Sequence, residues 1–60
     1  MEQLMKKAIT NFKKMKLGEI RNVYVWESTG YKGRITSATF NIEYIDKNEN
    51  YQSVVINEVK

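Results

Sequence analysis

The apolar positions at the start of the chain recur at three- and four-residue steps: Met1, Leu4, Met5, Ala8, Ile9, Phe12 and Met15. At 100° per residue these side chains fall in one sector, the signature of an amphipathic helix with one buried stripe. Lys6, Lys7, Lys13 and Lys14 lie on the other side. The pattern predicts a helix over about 2–16. Lys16 suits the negative end of the helix dipole, and Gly18 is the expected C′ stop.

Beyond Gly18 the period changes to two. β-Branched and aromatic residues, with Val23, Tyr24, Val25 and Trp26 at their centre, predict a strand over about 20–28. Ser28 to Gly33 reads as a turn or short loop. A second, long strand is expected over 34–46, with a bend or bulge near Ser37 and Ala38, and a third over 51–59. The stretch Asp46-Lys47-Asn48-Glu49-Asn50 is turn chemistry for a hairpin. No proline interrupts any of the three.

Short links make the strands an antiparallel meander. The expected class is α+β: one domain over 1–60, in the order α-β-β-β, with the N-terminal helix on one face of a three-stranded sheet. One helix covers one face. Ala38, Phe40, Ile42 and Tyr44 alternate onto one side of the second strand, and Val54 and Ile56 share a side of the third. Tyr51, Val55 and Val59 take the other side of the third strand, and Tyr24 and Trp26 oppose Val23 and Val25. The register is open at this point. Whichever set faces outward, the uncovered face carries aromatic and β-branched groups beside Thr, Ser and Asn, a mixture that marks a contact surface.

Size sharpens that expectation. A 60-residue chain buries only about 60% of the surface its unfolded form exposes. Small domains usually add disulfides, a metal or a partner. The chain has no Cys and no His, which removes disulfides, thiolate or imidazole metal sites and the commonest general base. A self-sufficient monomer and a self-associating or partner-bound domain are both open. No apolar run reaches the about 18 residues needed to cross a bilayer, and the lysine-bearing start lacks the apolar segment of a signal peptide. A cytoplasmic protein is the simple expectation.

Charge divides unevenly. Residues 1–16 hold five lysines against one glutamate, and residues 17–60 hold five basic against six acidic side chains. The positive field belongs to the helix. It suits non-specific phosphate contact, although lysines on a solvated helix face need no such purpose.

The chemical motifs are few. Gly30-Tyr31-Lys32-Gly33 fits the GxxG pattern of the KH nucleic-acid module. In that module the loop joins helices, and here it falls between strands. Two glycines in a hairpin loop are the simpler account. Ser28, Ser37 and Ser53 lack a basic partner, and Glu27, Glu43 and Glu58 are ordinary strand carboxylates with little concave volume to desolvate them. No catalytic, cofactor-binding or metal residue is expected, nor a small-molecule substrate or a membrane.

The expected function is that of a small non-enzymatic protein acting by protein–protein contact, as an inhibitor or adaptor. A homodimer is the favoured assembly. The Lys-, Asn- and Ile-rich composition is of the kind met in low-GC bacteria and their phages. Tyr24, Trp26, Tyr31, Arg34 and Tyr51 are the partner-binding candidates, because aromatics and arginine dominate interface energetics. The alternative is nucleic-acid binding through Lys6, Lys7, Lys13, Lys14, Arg21, Lys32 and Arg34, on the helix or on the sheet in the manner of β-ribbon readers.

Overall fold

The computed structural model describes residues 2–60. It has one helix followed by three antiparallel strands in one open sheet: α1 (Glu2–Met15), β1 (Gly18–Tyr31), β2 (Arg34–Asp46) and β3 (Tyr51–Val59), in the spatial order β1-β2-β3. The α+β α-β-β-β arrangement expected from the periodicity is present. Met1, expected on the helix stripe, lies outside the described residues.

The helix buries Leu4, Ala8 and Phe12 and half-buries Met5 and Ile9. Met15 departs from the expected stripe and is 48% exposed, because it sits at the end of the helix. Lys6, Lys7, Lys13 and Lys14 are exposed. The helix stops before Gly18. Lys16 takes the left-handed conformation at φ 54° and turns the chain, with its N–H donating to the Lys13 carbonyl at 3.3 Å. Gly18 instead opens β1, where a Cβ would lie 2.0 Å from the Ile45 carbonyl oxygen. Close backbone approach, not helix termination, is what requires glycine there.

The core is a strip between the helix and the two nearest strands. Phe12, Ala38, Phe40, Ile42, Tyr44 and Ile56 join Leu4 and Ala8 in it. Phe12 and Tyr44 pack as a tilted aromatic pair with centroids 5.1 Å apart. The helix lies over β2 and β3, and among the described residues it does not reach β1. Its 14 residues span about 21 Å, less than half the length of β1. The molecule is therefore long and narrow, 44 × 18 × 13 Å. β3 pairs with β2 only from Ser37 onward, so the β1–β2 hairpin projects beyond it as a two-stranded ribbon.

The first turn is tighter than the sequence suggests. β1 continues through Ser28, Thr29 and Gly30 to Tyr31, and Lys32-Gly33 alone make the loop. Both have positive φ, 51° and 80°, the two-residue type I′ geometry that matches strand twist. The second turn is organised by Asp46. Its carboxylate Oδ1 accepts from the N–H groups of Asn48 and Asn50 at 2.8 and 2.9 Å.

Register is irregular along β1. The ladder shifts between Ile20 and Asn22, between Val25 and Glu27, and between Thr29 and Gly30. Arg21 and Trp26 are thereby extra residues without a cross-strand partner. The third shift skips Thr36 on β2, one residue before the Ser37-Ala38 position expected from sequence.

Candidate functional site, the uncovered sheet face

With the register known, the two faces separate. Ile20, Val23 and Val25 pair with Tyr44, Ile42 and Phe40 on the helix side. The opposite face is built in rows across β1, β2 and β3. Glu19, Ile45 and Tyr51 form one row, followed by Asn22, Glu43 and Ser53, and then by Tyr24, Asn41 and Val55. Glu27, Thr39 and Asn57 continue the face, and Thr29, Ser37 and Val59 end it. This face has no helix over it. Tyr24, Tyr51, Val55 and Val59 are exposed large apolar groups on it.

Its centre is polar and specific. Glu43 accepts from Asn22 Nδ2 at 3.2 Å and from the Tyr51 hydroxyl at 3.4 Å. Asn22 Nδ2 also donates to the Tyr51 hydroxyl at 3.4 Å. The negative charge of Glu43 beside the Tyr24 phenol raises its pKa above the ordinary tyrosine value. Desolvation and a hydrogen bond to the same carboxylate act in the same direction. Tyr24 on β1 and Tyr51 on β3 thus both address a carboxylate on the middle strand.

Asn41 stands one step along from Glu43 on the same face. Its neighbours across the ladder are Tyr24 and Val55. It is 9% exposed, and its side-chain oxygen has no hydrogen-bond partner among the described residues. The sequence marks Asn41 only as a polar position of a strand. Its burial depends on which residues the register sets beside it.

The other sequence candidates are dispersed. Trp26 is exposed at the second β1 bulge. Tyr31 and Arg34 pair at the far end of the ribbon, where the Lys32 ammonium lies 5.5 Å from the Tyr31 ring centroid. Arg21 occupies the first bulge. Among Tyr24, Trp26, Tyr31, Arg34 and Tyr51, only Tyr24 and Tyr51 converge on one group. The carboxylates do not pair for acid–base work. Glu58 lies under the helix, accepting from Asn11 Nδ2 at 2.8 Å. Glu27 and Glu43 are separated by four residues of β2 register, about 13 Å. Among the described residues no three His, Cys, Asp or Glu side chains gather as a metal site.

Both edges of the sheet carry local irregularities. Bulges at Arg21 and Trp26 distort the free edge of β1, and bulges and charges are the means by which edge strands avoid pairing. At β3, the Lys7 ammonium donates to the Val59 carbonyl at 3.0 Å. Val59 lies in a non-hydrogen-bonded pair with Ser37, so its carbonyl points to the free edge and Lys7 covers it.

Charge is sorted by side. Between the Glu19 row and the Val59 row the ladder-paired residues of the outer face include Glu19, Glu27 and Glu43, and Arg21 sits at the bulge between the first two rows. The lysines stand on the helix, where Lys6, Lys7 and Lys14 line a shallow groove with Thr10 and Asn11. Among the described residues no helix is long and apolar enough to cross a membrane.

These features define a small α+β domain with one sheet face partly covered by the helix and one uncovered. Comparison with known protein families, with curated proteins and with solved structures finds no match.

Proposed function

We propose that the chain is a small non-enzymatic binding protein that acts by protein–protein contact through the uncovered sheet face, as an inhibitor or adaptor. The observation that carries this reading is the uncovered face itself. Tyr24, Tyr51, Val55 and Val59 are exposed on it around a hydrogen-bonded centre. Apolar anchors around a few fixed polar groups are the anatomy of a protein interface.

The test is affinity capture with the immobilised chain. A partner retained by the native protein should be lost with the double variant Tyr24→Ala, Tyr51→Ala. It should be kept by Lys13→Ala, Lys14→Ala. The opposite pattern sinks the reading.

Nucleic-acid binding is the second reading, supported by the lysine groove of the helix. The acidic outer face speaks against its sheet-based form. Light scattering during size exclusion, with a short DNA duplex at low and high salt, separates the two. Phosphate binding appears as a complex that disappears steeply with salt. The same run reports whether the free chain is monomer or dimer.

A further inference from the structure

Resting on the nucleic-acid reading, the second of the two above, we infer that the groove of Lys6, Lys7, Thr10 and Lys14 on α1 holds the phosphate backbone of a nucleic-acid duplex, whatever its sequence. The helix lies on the covered side of the sheet, opposite the face proposed for protein contact, so one chain makes both contacts. The charge in the groove is poorly compensated. Residues 1–16 hold five lysines against one glutamate. Among the described residues the one ion pair is Lys6 to Glu2, at 4.0 Å between side chains 76% and 87% exposed. An exposed pair of that kind holds its cation weakly. Lys7 donates to a neutral carbonyl, that of Val59, and keeps its charge for a ligand. Glu58 touches the lining at Asn11, whose Nδ2 donates to it at 2.8 Å.

The lysines are set out along a line. Lys6, Thr10 and Lys14 follow one another at single turns on one side of the helix. At 1.5 Å per residue, Lys6 and Lys14 stand about 12 Å apart along the axis. Lys7 joins them in the lining of one groove of about 340 Å³. A row of separated point charges fits a ligand whose own charges repeat along a line, and duplex nucleic acid presents one per about 1.7 Å of its axis. What the groove lacks selects among polyanions. No apolar side chain lines it, so it has neither the buried centre of a protein interface nor the apolar face of a helix that lies on a membrane. It has no aromatic ring on which the bases of a single strand would stack. It has no arginine to read base edges. Ammonium groups and a hydroxyl are the donors that contact phosphate oxygens.

The experiment is fluorescence anisotropy of two labelled DNA duplexes of unrelated sequence, titrated with the full chain across a salt series. Both duplexes should bind alike. Three phosphate contacts give a slope of log K against log salt of about −2.7, a loss of roughly forty-fold between 50 and 200 mM salt. Lys6→Ala, Lys14→Ala should bring the slope to about −0.9. Lys32→Ala, Lys47→Ala removes the same charge outside the helix and should leave the slope in place. Lys7 stays native in both because it also holds the Val59 carbonyl. Thermal melts certify the fold of each variant. An equal loss in the two double variants means that net charge alone binds; it overturns the groove and leaves the nucleic-acid reading standing. Poly-glutamate or phosphatidylserine vesicles that displace the duplex at equal charge overturn the assignment to nucleic acid. A duplex that stays free even at the lowest salt removes the nucleic-acid reading together with the groove. Tyr24→Ala, Tyr51→Ala should bind duplex as the native chain does, and a loss there puts the contact on the sheet face instead. Capture of a protein by that face is read separately, so neither failure implies the other.

Discussion

Phe12 on the helix and Tyr44 on the middle strand meet ring to ring at 5.1 Å, and this pair is the bolt between the two layers. Phe12 is fully buried. Truncating a buried Phe to Ala costs about 3–5 kcal/mol. A chain of this length has a total stability of about 3–9 kcal/mol. Phe12→Ala should therefore remove a large share of the stability, measured by circular dichroism as a strongly lowered midpoint in a urea titration. A two-state curve with nearly native midpoint would mean that the helix is not needed to hold the sheet.

Backbone crowding makes a second expectation. A Cβ at Gly18 or Gly30 would stand 2.0 Å from the carbonyl oxygen of Ile45 or Arg34, whereas at Gly33 nothing lies within 4 Å. Gly18→Ala and Gly30→Ala should each lower the melting temperature markedly, since a backbone oxygen cannot swing away. Gly33→Ala should cost less, only the strain of its φ of 80°. Three thermal melts decide the order.

The Asp46 carboxyl gives a pH dependence. Backbone N–H groups of Asn50 and Asn48, with Gln52, hold its pKa below the usual aspartate value against a smaller desolvation effect. A carboxyl with a lower pKa folded than unfolded stabilises the fold in full above the ordinary aspartate range. That contribution falls as pH drops through the lowered folded value. Asp46→Ala should reduce the melting temperature by a few degrees at pH 7, and the gap from the native chain should close in strong acid. A gap that stays constant down to pH 2 would show that the hydrogen bonds, not the charge, are what matters.

Asn41 predicts a conflict between stability and binding. Replacing it by Leu removes the unmet acceptor and adds apolar contact with Tyr24 and Val55. The variant should be more stable by about 1 kcal/mol, which for a domain of this size raises the melting temperature by about 4–8 °C. The same change should abolish partner capture. A variant that is both more stable and fully active removes Asn41 from the interface.

Tyr24 reports on Glu43 from a distance of one strand. Glu43→Gln removes the charge that raises the phenol pKa, so the ultraviolet titration of Tyr24 should move toward lower pH. A titration that does not move would separate Tyr24 from the Glu43 network.

The elements were legible because their periods are strong. The 3.6-residue stripe through Leu4, Ala8 and Phe12 and the alternation of Ala38, Phe40, Ile42 and Tyr44 place the core without a structure. What the pattern could not reveal is register. Two extra residues in β1, Arg21 and Trp26, put Tyr24 outward and leave Trp26 unpaired, although the sequence sets both on one side. The end of the first hairpin was hidden for a related reason. Ser28 and Thr29 have turn chemistry, but their partners Ala38 and Ser37 hold them in the ladder, and Thr29 and Ser37 share a hydrogen bond between hydroxyls. The Glu43 and Asn41 site needs three strands in alignment, and no local signal in the chain encodes that.

The ribbon beyond the end of β3 has a consequence for how the molecule opens. Residues 30–35 are held by one neighbour strand and have no helix above them, whereas Phe40 and Ile42 are enclosed on the helix side and paired on both flanks. Local opening free energies follow such differences in burial. Amide hydrogens should accordingly exchange fastest at the Lys32 tip and slowest at the centre of β2. Asn41 and Glu43 belong to the slow end of that gradient. Binding there would meet a surface already rigid, with little ordering entropy left to lose.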